Sequence, residues 1–222
     1  MSEQVQTVVI LGAGRQGRNA LEALDTRYQV AGFLDDTRLP GERVGGVSVL
    51  GGFDRAFELA HRAGNGGVCF FVALGDNSER IRLTQHLTST GASLARAIHP
   101  TASVSPSASV AEGAYIGAFC RLQPGAVIGE AGLIEAHSLI GCDAVLGPGA
   151  RTGPHGMLLG GAGLGAQSLL GAGAVVHENI KVATHCVVGA NAVVLCDVAP
   201  GQRVFGAPAR AHGLARGDRQ AD

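Results

Sequence analysis

Residues 116–147 run IGAFCRLQPGAVIGEAGLIEAHSLIGCDAVLG, and a period of six organises them. Ile116, Leu122, Ile128, Ile134, Ile140 and Leu146 stand six apart. Extended both ways, the same register runs from Ile98 to Val194 through seventeen positions, all aliphatic except Thr152. Four residues after each aliphatic comes a small side chain in nearly every case, such as Ala102, Cys120, Ala126, Ser138 and Ala144. Glycine commonly follows the aliphatic directly, as at Gly117, Gly129, Gly141, Gly147, Gly165 and Gly171.

A stripe repeating every six residues drifts off one face of an α-helix within two turns. It suits a coil with three short flat sides, one hexapeptide to each side. The branched aliphatic fills the middle of the prism, the small residue points inward near a corner, and glycine relieves the backbone at the turns. The predicted fold of residues 96–205 is therefore a left-handed parallel β-helix. In this register Cys120 and Cys186 take the small inward position and read as core filler. Pro200 ends the repeat, and residues 206–222 form a C-terminal tail that finishes in the polar stretch RGDRQAD.

Composition agrees with this reading. The chain has 222 residues, 35 of them glycine, with 4% aromatics and no Trp, so small and branched aliphatic side chains must fill its core. The glycines do not recur every third residue, which excludes collagen. A net charge of −1 offers no basic field for nucleic acid. No run of 18 apolar residues exists to span a bilayer, and MSEQVQTVVILGAG lacks the regions of a signal peptide. Five cysteines without C-x-x-C spacing read as reduced thiols, so a cytoplasmic protein is expected.

Residues 1–95 read as a small Rossmann-like α/β domain. The apolar stretch TVVILG (7–12) runs into Gly12-Ala13-Gly14-Arg15-Gln16-Gly17 and then the helical RNALEAL, which is G-x-G-x-x-G in its strand–turn–helix setting. Glycines there allow a tight turn and close approach of a ligand, and the helix N-terminus offers amides to phosphate. A second strand, QVAGFLDD, ends in Asp35 and Asp36. A third, VCFFVAL, ends in Gly75-Asp76-Asn77 before a helix that carries Arg80. All three ends face one crevice of a parallel sheet. About 95 residues are roughly half a dinucleotide-binding domain, so a mononucleotide or nucleotide-sugar fits better than NAD. The competing reading has Gly14 and Gly17 packing helix on strand and Asp35 capping a turn.

The order of the two domains resembles the nucleotide-aminosugar N-acetyltransferases of bacterial glycan biosynthesis and the related sialic-acid O-acetyltransferases. The resemblance rests on GAGRQG, FLDD, GDN with Arg80, IHPTA at 98–102, GAGAVV at 171–176, GANAVV at 189–194 and GAPAR at 206–210. It implies a homotrimer that holds a nucleotide-linked sugar in the N-terminal domain and acetyl-CoA, a co-substrate, along the β-helix. It implies sugar-nucleotide contacts at Gly12, Gly14, Gly17, Asp35, Asp36 and Asn77. It implies coenzyme contacts at Gly171, Ala172, Gly173, Gly189 and Ala207. The family motif E-H-[DE]-C-V-I-G carries the general base. Here the stretch is GCDAVLG, with Cys142 in the base position and Asp143 in that of the orienting acid. Arg151, on the coenzyme side, replaces a second family histidine, and Gln16 stands near a third.

His137 and His155 are one coil apart and should stack at one corner, a different corner from that of Cys142. Two stacked imidazoles resist double protonation, which keeps one of them basic. The candidate catalytic groups are thus Cys142, Asp143, His137 and His155, with no metal. Three other readings stand beside acetyl transfer. One is a non-catalytic trimer that binds nucleotide-sugar as scaffold or regulator, favoured by Cys142 and Arg151. Another is a metal-dependent hydratase, suggested only by the His137–His155 pair. The last is an NAD oxidoreductase, for which a solenoid offers no hydride-acceptor pocket.

Overall fold

The computed structural model describes residues 5–24, 28–63 and 67–214. The chain divides into two compact units, Met1–Pro100 and Thr101–Asp222.

The first unit is a sheet with helices between its strands. In chain order it contains β1 (Gln6–Leu11), α1 (Arg15–Ala23), β2 (Tyr28–Leu34), β3 (Arg43–Val44), β4 (Val47–Gly51) and α2 (Asp54–Ala63). There follow β5 (Val68–Val72), α3 (Asn77–Ser89), β6 (Ser93–Leu94) and β7 (Ala97–Ile98). The sheet order is β3-β4-β2-β1-β5-β6, parallel throughout except for the β3–β4 hairpin. Strands β1 and β5 are buried on both faces by α-helical crossovers, which is why they read as unbroken apolar runs. Val9, Leu11, Leu34, Phe70, Val72, Leu83 and Leu87 form the core on one side of the sheet. The chain leaves β1 between β2 and β5, so the strand order reverses at the carboxyl end of β1, where such sheets bind ligands.

The second unit is the β-helix. Two-residue strands stack in parallel on three sides, with partners eighteen residues apart in register, for example Leu122↔Ile140↔Leu158 and Ile116↔Ile134↔Thr152. The first side carries Tyr115–Ile116, Leu133–Ile134, Arg151–Thr152, Leu169–Leu170 and Val187–Val188. The second runs from Ser103–Val104 to Val193–Val194, and the third from Ser109–Val110 to Lys181–Val182. From Ile116 onward the every-sixth residue is buried at every position. The small residues Ala114, Cys120, Ala126, Ser138, Ala144, Ala150, Ala162, Ser168 and Ala174 are buried with it.

Thr152, the one polar member of the register, is fully buried and belongs to a short polar rung. Its Oγ1 accepts from the Glu135 amide at 3.2 Å and lies 3.0 Å from Ser138 Oγ, which also donates to the Gly153 carbonyl. Hydrogen bonding offsets the cost of burying these hydroxyls.

The glycines have a different cause from the one expected. Those directly after the aliphatic do not sit at turns of positive φ. They lie where the next coil passes directly over them: a Cβ on Gly141 would stand 2.7 Å from the Gly160 amide nitrogen, and one on Gly171 2.5 Å from that of Ala190. The positive φ falls two residues later. Gly125, Gly149, Gly161 and Gly173 take it, but so do Phe119, Ala131, His137, Asp143, His155, Gln167, Asn179, His185 and Asn191.

Past Pro200 the backbone stays ordered into one more partial coil. Val182 bridges to Val198, Val187–Val188 pairs with Arg203–Val204, and Gln202–Phe205 forms an antiparallel hairpin with Arg210–Leu214. The segment expected as a tail from residue 206 thus begins with a turn and a strand. The stretch RGDRQAD lies outside the described residues.

Candidate functional site

Three loops meet at the carboxyl end of the first unit's sheet. Gly12, at φ +102°, ends β1, and its amide donates to the Leu34 carbonyl at 2.8 Å. A Cβ here would come within 2.8 Å of the Ala73 carbonyl oxygen, and one on Gly17 would collide with the Gly12 carbonyl. Both glycines are therefore required by packing. Gly14 differs: a Cβ on it would meet nothing within 4 Å. It is the N-cap of α1 and supplies no side-chain cap, whereas α3 is closed by Asp76, whose Oδ1 accepts from the Glu79 amide at 2.7 Å. The open, uncapped turn at Gly14 leaves room and unpaired donors for an anionic group.

Asp35 is 9% exposed, and both its oxygens serve the loops. Oδ2 accepts from the Ala13 amide at 2.7 Å; Oδ1 accepts from the Thr37 amide at 2.9 Å and the Thr37 hydroxyl at 2.6 Å. Burial pushes this carboxyl up, but those hydrogen bonds and Arg38 outweigh it and hold Asp35 below the ordinary carboxylate range. Asp35 thus braces the β1–α1 loop against the loop after β2. Asp36 is exposed and accepts from the Phe53 amide at 2.7 Å. Asn77 Oδ1 accepts from Arg80 Nη2 at 2.9 Å, and the buried Arg80 also donates to the carbonyls of Leu74, Gly75 and Asp76, which fixes the third loop. Gln16, in the first turn of α1, is 9% exposed, and its Nε2 has no hydrogen-bond partner among the described residues. A buried amide without an acceptor is costly, and its place beside Gly14 suits a polar ligand atom.

In the second unit the candidates fall on two edges of the prism. Cys142 and Asp143 lie on the edge between the second and third sides. The exposed Cys142 thiol donates to Gln123 Oε1 at 3.4 Å, and the Cys142 amide donates to the same oxygen at 3.0 Å. Asp143, at φ +55°, lays its carboxylate over Gly125 one coil below. His137 and His155 lie on the edge between the first and second sides. Their rings stack with centroids 4.8 Å apart and planes at 6°, and Phe119 continues the column below at 4.9 Å. Within one chain these two edges are separate, so the histidines and Cys142 are not brought together. Rings this parallel do not aim two nitrogen lone pairs at one ion, and among the described residues no cluster of three or more metal-ligating side chains forms.

The proposed coenzyme residues occupy the later coils. Arg151 is half-buried on the outward side of the first face, between Leu133 and Leu169. Gly171 is overlain by Ala190, Gly173 by the Asn191 side chain and Gly189 by Phe205. Ala172 and Ala207 are exposed. Beside the closing hairpin is a cavity of about 290 Å³ lined by Val194, Cys196, Val198, Gln202, Val204 and Arg210 among others. Sequence reasoning missed Gln123 and Phe119. Phe119 was reachable, since it precedes His137 by one coil; Gln123 becomes visible only when adjacent coils are stacked.

Residues 7–87 match the family model for the PglD N-terminal domain. The whole chain is similar to a solved structure of PerB from Caulobacter crescentus in complex with CoA and GDP-perosamine. Identity is 32%, the match covers 96% of this chain and 100% of that one, and the TM-score is 0.86. It is similar as well to the acetyltransferase domain of PglB from Neisseria gonorrhoeae in complex with acetyl coenzyme A. That match has 30% identity, 94% and 100% coverage and a TM-score of 0.85. WeeI from Acinetobacter baumannii, at 17% identity and a TM-score of 0.62 over 93% of this chain and 100% of that one, shares the fold. No curated protein matches the sequence.

Proposed function

The chain belongs to the sugar N-acetyltransferase family that joins a PglD-type N-terminal domain to a left-handed β-helix, and from that membership we propose that it moves the acetyl group of acetyl-CoA onto an amine of a nucleotide-linked sugar in bacterial glycan biosynthesis. The observation that carries this reading is the end-to-end match, at 32% identity, to an enzyme whose structure holds CoA and GDP-perosamine.

Each half of the chain has a part in the reaction. The crevice of the first unit receives the nucleotide-sugar: Gly12, Gly17 and Asp35 shape it, Gly14 leaves space for phosphate, and Gln16, Asp36 and Asn77 supply polar contacts. The β-helix takes acetyl-CoA along its later coils, near Arg151, Gly171, Ala172, Gly173, Gly189 and Ala207. Holding an amine against a thioester lowers the barrier by removing the entropy of encounter, and an amide donor at the developing oxyanion lowers it further. The active assembly is a homotrimer, consistent with partly exposed Leu139, Met157, Val175 and Val193 in a line on the second face. No helix among the described residues is long and apolar enough to cross a membrane, none of the five cysteines forms a disulfide in the structure, and the reaction belongs in the cytoplasm, where acetyl-CoA is made.

The test is release of the coenzyme thiol from acetyl-CoA in the presence of GDP-perosamine and of UDP-linked amino sugars. Turnover with one of them, and none with the free sugar, is the expected result. The competing reading, a trimeric nucleotide-sugar-binding scaffold, draws on Cys142, whose thiol donates to Gln123 Oε1. Tight binding with no thiol release would establish it.

A further inference from the structure

At three edge positions of positive φ the side chain is short and polar and is laid over a glycine one coil below. Asp143 covers Gly125, Asn179 covers Gly161, and Asn191 covers Gly173. Phe119, His137, His155 and His185 carry a ring at such a position instead, and the first three stand in one column. Phe119, His137 and His155 put their rings in the left-handed region on consecutive coils; histidine enters that region more readily than most side chains, whereas phenylalanine there is uncommon. The rings are solvent-exposed and stacked on one another, outside the core of the fold.

Acetyl transfer to an amine, the activity on which this inference rests, needs a group that takes a proton near neutral pH. On the other edge, the Cys142 thiol is itself a donor to Gln123, and the Asp143 carboxylate is folded onto Gly125. Of the other histidines of the β-helix, His177 and His185 stand on separate edges, and His212 packs against Phe205 in the closing hairpin. Among the described residues, His137 and His155 are the two histidines whose rings stack on each other.

We propose that the stacked His137–His155 pair is the general base of the reaction. The nitrogen of the sugar amine attacks the thioester carbonyl carbon, and a C–N bond forms. An imidazole nitrogen of the pair takes the proton that the amine loses. As the tetrahedral adduct collapses, the C–S bond breaks and the imidazolium returns that proton to the leaving thiolate. The products are the N-acetyl sugar and free coenzyme A, and the pair is neutral again. Separate edges within one chain mean that the pair serves an acyl group bound on its own edge, or on a neighbouring copy packed against that edge.

Phe119 supplies the control. It holds the same corner conformation in the same column, so phenylalanine at 137 and 155 preserves the stack while removing every proton acceptor. Thiol release from acetyl-CoA with GDP-perosamine and UDP-linked amino sugars is measured for wild type, His137→Phe, His155→Phe and the double variant. Unchanged melting temperatures verify the fold. The double variant is expected to lose about 100-fold or more in kcat with little change in KM for acetyl-CoA. Two further variants, His137→Ala and His155→Ala, are expected to regain turnover with added imidazole. A double phenylalanine variant within threefold of wild-type kcat overturns the proposal and leaves acetyl transfer standing. A wild type that turns over none of these sugars overturns acetyl transfer, and the base assignment with it.

Discussion

Gly14 and Gly17 share one motif but stand in opposite surroundings. A methyl group on Gly17 strikes the Gly12 carbonyl, while one on Gly14 enters open space. Gly17→Ala is therefore expected to destabilise the first unit by about 1–3 kcal/mol. Gly14→Ala should leave the melting temperature nearly unchanged and weaken nucleotide-sugar binding about tenfold. Denaturation and calorimetry together separate the two effects. The motif alone leaves both glycines open to a ligand-contact or a packing reading; only the surroundings show that Gly17 serves packing and that Gly14 faces open space.

Asp35 gives a pH dependence with a definite sign. Its carboxyl is held below its ordinary value of 3.8 in the folded protein, so the ionised form stabilises the fold. That contribution is complete above about 3.8 and is lost as pH falls through the lower folded value. Asp35→Ala, which leaves the Ala13 amide without its carboxylate, is expected to cost about 1–3 kcal/mol at neutral pH and to flatten this acid limb in thermal melts. The thiols also divide by surroundings. Burial pushes Cys120 up to about 11 and raises Cys186 too, while Cys142 and Cys196 are exposed. Two thiols of the native protein should react rapidly with a disulfide reagent at pH 8, and the other three only on unfolding.

At the scale of the coil, the six-residue register foretells the strands, the inward aliphatics and the stacking of His137 on His155. These follow from side-chain size repeated in one order, a property the sequence displays directly. The polar rung at Thr152 is less legible, because its partners Ser138 and Glu135 lie on the preceding coil and become neighbours only after stacking. Thr152→Val should cost about 1–2 kcal/mol by leaving Ser138 and the Glu135 amide short of a partner. Adding Ser138→Ala to it should cost less than the two single changes summed, a coupling that denaturant titration of the four proteins measures. The reason for the glycines is hidden in the sequence for a similar cause. Their place in the hexapeptide is plain, but the coil overhead that excludes a Cβ is not.

Across the whole molecule, the proposed function gives the first unit's crevice to a charged, sugar-bearing nucleotide and the solenoid to the acyl donor. The domain order was legible from G-x-G-x-x-G at one end and the hexapeptides at the other. The internal use of Asp35 was not, because an acid at the end of a strand has the same sequence whether it faces a ligand or its own backbone. The most direct test of acetyl transfer follows the acetyl carbon. The chain is incubated with acetyl-CoA labelled in its acetyl group and with GDP-perosamine, and the sugar nucleotide is recovered for mass spectrometry. Label bound to the sugar nitrogen is the outcome this account requires. Label remaining entirely in acetyl-CoA, while the protein binds the nucleotide-sugar, would contradict it and leave a binding scaffold in its place.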